Sequence, residues 1–194
     1  MSRKETRVTL LQRLRDRQDE KSWAEFLHAY QPFLLGLLRQ LGAQRQDAED
    51  ICQEVLVKAW KALPAYQYRE GQCQFRTWLS RICRNTLRTS VRDRSTLSRS
   101  APENLEMEES SEPEIDAIAE KEWQRYISRL AWENIRDRFS PHVQQCFQLC
   151  SQGQSSVEVG KQLGLAESSV RVNKQRVTAA LCKEIIRLDN ELQG

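Results

Sequence analysis

Three residues of the kind that bind metals, His142, Cys146 and Cys150, stand four positions apart along the chain. On a helix two of them can meet one zinc ion, but the third lies about 12 Å away along the axis at roughly 1.5 Å per residue. Core packing is therefore expected, and no metal or other cofactor is assigned. The other histidine, His28, is remote in sequence, and no phosphate-cradling glycine loop or nucleophile–base pair is visible. With no catalytic residue to name, the chain reads as a binding protein rather than an enzyme.

Its chemistry is carried by charge. In DAEDICQEVLVKAW, residues 47–60, Asp47 and Glu49 crowd the start of a helix, where each favours the helix dipole by about 0.3–1 kcal/mol. Asp50 and Glu54, one turn apart with Gln53 beside them, lie away from the apolar Ile51 and Val55 and lack that explanation. A nucleic-acid module gains nothing by turning carboxylates toward DNA, so a protein partner with a basic surface fits them better. Arg81, Arg84, Arg88 and Arg92 recur at steps of three and four, which lines them along one helical face, where like charges repel unless a polyanion compensates. Tyr66, Tyr68 and Trp78 nearby could stack on unpaired bases or equally pack in a core.

A third pattern is SSVEVGKQLGLAESSVRVNKQRV, residues 155–177. Gly160 and Gly164 stand where two short helices would cross steeply, and Val159, Leu163, Leu165 and Val170 where the pair needs apolar contacts. The second helix, opening at Glu167 or Ser168, offers Ser168, Ser169, Arg171, Asn173, Lys174, Gln175 and Arg176 to phosphates or base edges. This is the pattern of a helix-turn-helix, and the basic excess over 171–187 separates it from an ordinary helical hairpin.

The elements that must hold these residues are helical. Seven glycines and five prolines among 194 residues are few, and no segment alternates with period two, so the fold class is all-α. Helices are expected over 9–17, 22–41 (with Pro32 as a potential kink), about 46–63 (with Asp47 as a competent cap) and 75–92. The last of these is to bury Phe75, Trp78, Leu79 and Ile82. Residues 64–74 read as a loop. From 95 to 122 nine carboxylates face Arg99 and Lys121, a composition that argues for a flexible acidic linker. Two small helical domains, 1–94 and 123–194, flank it. The six cysteines lack a disulfide framework, the N-terminus lacks a signal core, and no apolar run can span a bilayer. No membrane insertion and a cytoplasmic location are expected.

DAEDICQEVLVKAW followed by FRTWLSRICRN resembles region two of bacterial RNA polymerase sigma factors, and residues 140–181 resemble their region four. The plan is similar to the extracytoplasmic-function (ECF) group. The resemblance implies that Asp47, Glu49, Asp50, Gln53 and Glu54 dock on the β′ coiled coil of core RNA polymerase. It implies that the loop 65–74 captures flipped nontemplate bases at the minus-ten element, beside Arg76, Arg81, Arg84, Asn85 and Arg88. It also implies that 167–176 reads the minus-thirty-five element, that the second domain meets the β flap, and that an anti-sigma protein is a candidate regulator. Departures from the common pattern are Thr89, Asn173 and Gly160. The alternative is a two-domain helix-turn-helix regulator that binds DNA without polymerase.

Overall fold

The computed structural model describes residues 10–14, 19–66, 75–97 and 112–193. Tyr68, Cys73, most of the expected base-capturing loop and half of the expected acidic linker lie outside them. Among the described residues the regular structure is helical throughout: α1 (Leu10–Arg13), α2 (Glu20–Gln40), α3 (Arg45–Ala62), α4 (Phe75–Leu97), α5 (Glu112–Ile135), α6 (Pro141–Ser151), α7 (Ser156–Leu163) and α8 (Glu167–Gln193). Short 3-10 turns follow α3 and α5. The chain divides into two compact units, Met1–Tyr126 with Glu191–Gly194, and Ile127–Asn190.

In the first unit α2, α3 and α4 pack pairwise against one another. Asp19 caps α2 by accepting the Ser22 amide at 2.9 Å; the Ser22 hydroxyl, and after it this amide bond, hold the Asp19 carboxyl below its usual range. Helix α2 continues through Pro32. It ends in a Schellman turn, Ala43 N–H to Leu38 O at 2.9 Å, which requires the positive φ of Gly42. The core is aromatic: Phe26, Tyr30 and Phe33 of α2 are fully buried, and Phe75 of α4 meets Tyr30 edge-on at 5.3 Å. From α3 come Ile51, Cys52, Val55 and Ala59. Helix α4 buries Phe75, Leu79, Cys83 and Leu87, whereas Trp78 and Ile82 are only half-buried, so its inner face is rotated from the expected one. Ser80 and Thr86 survive in that interior by donating to the carbonyls of Arg76 (2.6 Å) and Ile82 (2.8 Å) one turn back.

Helix α3 begins at Arg45 after a Gln44 cap that makes no side-chain bond. Asp47 therefore sits in the first turn, where it serves the dipole rather than the cap. A larger departure concerns residues 112–122, expected to end the flexible linker: they form the first turns of α5. Ile115, Ala119, Trp123 and Tyr126 recur at i, i+4, i+8 and i+11, and all four are buried. Trp123 stacks on Tyr30 at 5.6 Å and stands edge-on to Phe33 at 5.2 Å. That apolar stripe offsets the ordering entropy that the acidic composition alone could not. The same unit is closed by the C-terminal end of the chain, where the Tyr30 hydroxyl donates to Leu192 O at 2.6 Å.

In the second unit a capping box opens α7, Ser155 N–H to Glu158 Oε2 at 2.8 Å and Glu158 N–H to Ser155 Oγ at 3.3 Å. Gly164 ends it in the left-handed region at φ 67°. A Cβ on Gly160 would come 2.7 Å from the Leu165 carbonyl oxygen, so glycine there permits the close crossing of α7 and the turn. Val159 and Val170 are buried with Cys146 and Cys150 of α6, and Leu149, Leu163 and Leu165 pack around them. Helix α8 is anchored by Glu184, which accepts from Asn134 at 2.9 Å and from Arg187 at 2.6 Å.

Candidate functional site

Helix α3 presents the first candidate surface. With Ala48, Ile51, Cys52 and Val55 turned inward, Glu49, Asp50, Gln53 and Glu54 are exposed and Asp47 is half-buried. Glu54 pairs with Lys58 at 2.7 Å, and Lys58 also donates to Thr86 of α4 at 3.2 Å, so this carboxylate is held in place by its own helix. Val57, seven residues after Asp50 and hence on the same face, is 49% exposed. Trp60 is partly exposed one turn beyond, its ring edge-on to Trp23 at 6.3 Å. Sequence reasoning named the acidic head of this ridge and missed its apolar tail. The signal was present in the i+7 spacing of Asp50 and Val57.

The second surface is α4 with the aromatic residues before it. Tyr66 and Trp78 approach to 4.9 Å, and each also meets Phe75, so both lean on the core while remaining half-exposed. Arg88 and Asn85 are exposed, and Arg81 and Arg84 half-buried. Arg76 is not open to solvent: its guanidinium pairs with Glu120 at 2.6 Å and retains only 13% side-chain exposure. Arg81 faces Asp116 at 3.9 Å. The acidic start of α5 thus lies on the arginine face of α4. Sequence reasoning placed these carboxylates in a linker because composition was weighed above the apolar stripe within it.

The third surface is the outer face of α8. Ser168, Ser169, Arg171, Lys174, Gln175 and Arg176 are exposed, and Arg171, Lys174 and Gln175 line one open groove with Ser156, Thr178 and Ala179. Arg171 is ion-paired with Glu167 one turn earlier, which orients it along the helix. Asn173 departs from the expectation. It shares the inward side with Val170 and Val177 and is half-buried, its side chain hydrogen-bonded to the Cys146 thiol, so it does not stand with the outward-facing group.

Four of the cysteines are core residues, whereas Cys182, His28 and His142 are exposed, so His142 does not join the core packing expected of it. Cys52, Cys83, Cys146 and Cys150 are free and buried; burial pushes the Cys52 thiol up to about 11 and raises those of Cys83 and Cys146. Among the described residues no group of three metal-ligating side chains converges, and no helix is long and apolar enough to cross a membrane.

Comparison with known proteins bears on these surfaces. Residues 26–96, which contain the first two, match Sigma-70 region 2. The chain is 24% identical over 172 residues to the ECF RNA polymerase sigma factor RpoE of Cereibacter sphaeroides, covering 88% of this chain and 92% of that protein. It is 27% identical over 154 residues to the ECF sigma factor SigE of Mycolicibacterium smegmatis, covering 77% of this chain and 56% of that one. A solved structure of CnrH in complex with the cytosolic domain of CnrY is similar at 19% identity and a TM-score of 0.36, covering 90% of this chain and 93% of that one. The chain thus carries a segment that matches Sigma-70 region 2 and is similar over most of its length to ECF RNA polymerase sigma factors.

Proposed function

We propose that the chain is a sigma factor of the ECF group that docks on the β′ coiled coil of core RNA polymerase through the α3 ridge, namely Asp47, Glu49, Asp50, Gln53 and Glu54, with Val57 extending the contact. The observation that carries the reading is the separation of charge by element. Carboxylates are exposed on α3 within the region-two match, and cations are exposed on α8 of the helix-turn-helix. An acidic ridge with an apolar end suits a basic protein surface and not a phosphate backbone.

In this reading the segment 1–94 docks and melts, and the segment from 123 onward reads the upstream element and meets the β flap. Tyr66, Tyr68 and Trp78 stack on unpaired bases of the minus-ten element, and Arg76, Arg81, Arg84, Asn85 and Arg88 hold the adjacent backbone. Each arginine that neutralises a phosphate steepens the log–log salt dependence by about 0.7 on single strands and 0.9 on duplex. Ser168, Ser169, Arg171, Lys174, Gln175 and Arg176 enter the major groove at the minus-thirty-five element. The chain supplies binding energy and placement while the polymerase performs the chemistry, so no enzymatic activity of its own is assigned. It acts in the cytoplasm, and control by an anti-sigma protein belongs to the same reading.

A gel-shift series with promoter DNA, with and without core polymerase, tests this. A specific shift that needs core polymerase is expected. Equally tight specific binding by the chain alone would support a stand-alone regulator instead.

A further inference from the structure

We infer that the first half of α5 is a built-in occupant of the nucleic-acid face of α4, whose carboxylates must release Arg76 and Arg81 before that face takes up a DNA strand. This rests on the assignment of α4 to DNA binding. Three observations within the first unit carry it. Glu120 pairs with Arg76 at 2.6 Å, and Asp116 lies 3.9 Å from Arg81, so two arginines assigned to the promoter strand already face carboxylates. Those carboxylates stand four residues apart on one helix face, a geometry that matches two arginines on a facing helix. The segment is fastened from beneath, because Ile115, Ala119 and Trp123 are buried, and the Glu122 side chain lies over Gly36 of α2, where a Cβ would meet its Oε1 at 2.1 Å.

Partly exposed ion pairs are individually weak. The apolar stripe therefore keeps α5 in place, and the carboxylates make the covered face electrostatically unavailable to another anion. A polyanion competes with them directly, and weakening them while keeping the stripe must favour the polyanion. The arrangement lowers the affinity of the free chain for DNA and is relieved wherever a partner or a promoter strand outbids the α5 carboxylates for Arg76 and Arg81.

The test compares the full chain with D116N/E120Q, and with E20Q/E133Q, which makes the same change in net charge at exposed positions of α2 and of the C-terminal half of α5. Binding of a fluorescently labelled oligo(dT) strand is followed by anisotropy between 50 and 200 mM salt. D116N/E120Q is expected to bind about three- to tenfold more tightly than the wild type. Its log–log salt slope should be steeper by about 1.4, since two more arginines reach phosphates. E20Q/E133Q should show at most a small, slope-neutral gain. Equal affinities and slopes for the two double variants would overturn the inference. A pull-down on bacterial core polymerase runs in parallel: if core binding persists while D116N/E120Q behaves as its control, only the cover is wrong. If no variant binds core polymerase, the functional assignment itself fails.

Discussion

Replacing Trp123 by alanine tests whether the start of α5 belongs to the first folded unit. Trp123 is 2% exposed and contacts Tyr30, Phe33 and Tyr126 at centroid distances of 5.6, 5.2 and 5.8 Å. Truncating a buried tryptophan costs about 3–5 kcal/mol. The upper half of that range applies here, because Tyr30, which stacks on Trp123, is itself packed on Phe26 and Phe75 and has little freedom to collapse into the space. A domain holds only about 5–15 kcal/mol in total, so the variant should fold but be marginal. Hydrogen exchange read peptide by peptide separates the units: the opening free energy of α2, α3 and α4 should fall by about 4–5 kcal/mol, while α6 and α7 keep theirs. A loss below about 1 kcal/mol in α2–α4 would refute the reasoning, since it would mean that α5 merely rests on a core complete without it.

Further expectations follow from single sites. Gly160→Ala brings a Cβ to 2.7 Å from a backbone oxygen, and the strain of about 1–3 kcal/mol outweighs the helix-propensity gain of up to about 1; urea unfolding of the second unit should show a net loss. Glu184, buried against Arg187 and Asn134, has its carboxyl held at about 2 instead of the usual 4.5, first by the Arg187 hydrogen bond. Its folded value is depressed, so its contribution is complete above pH 4.5 and lost as pH falls toward 2; Glu184→Gln should flatten that acid limb in a pH-dependent unfolding series. Arg171→Ala should weaken holoenzyme binding to a selected promoter by about 1–3 kcal/mol if it reads a base, with the loss confined to sequences that keep the upstream element intact. A uniform loss across sequences would assign it to a phosphate.

The helix-turn-helix was legible because its requirements are local. Gly160 and Gly164 answer a close crossing and a left-handed φ, and a capping box announces α7, so residue type and spacing suffice. The acidic ridge was legible for a similar reason, since the inward positions of α3 leave Asp50 and Glu54 one direction to face. The start of α5 was obscured because composition and periodicity disagreed: five carboxylates among residues 112–122 argued for a solvated tether, and only Ile115, Ala119 and Trp123 at steps of four argued for a buried face. The inward turn of Asn173 was likewise hidden, because an asparagine among basic residues looks like a reader until the thiol it bonds on another helix is known.

The most direct test of the account is start-site mapping with purified bacterial core polymerase, genomic DNA fragments and this chain, in wild-type form and as D50K/E54K. Transcripts from a small set of defined start sites are expected with the wild type. None are expected with the variant, although hydrogen exchange should show both of its units folded. Defined transcripts at equal yield from D50K/E54K would contradict the docking ridge, and the absence of any from the wild type would contradict the function.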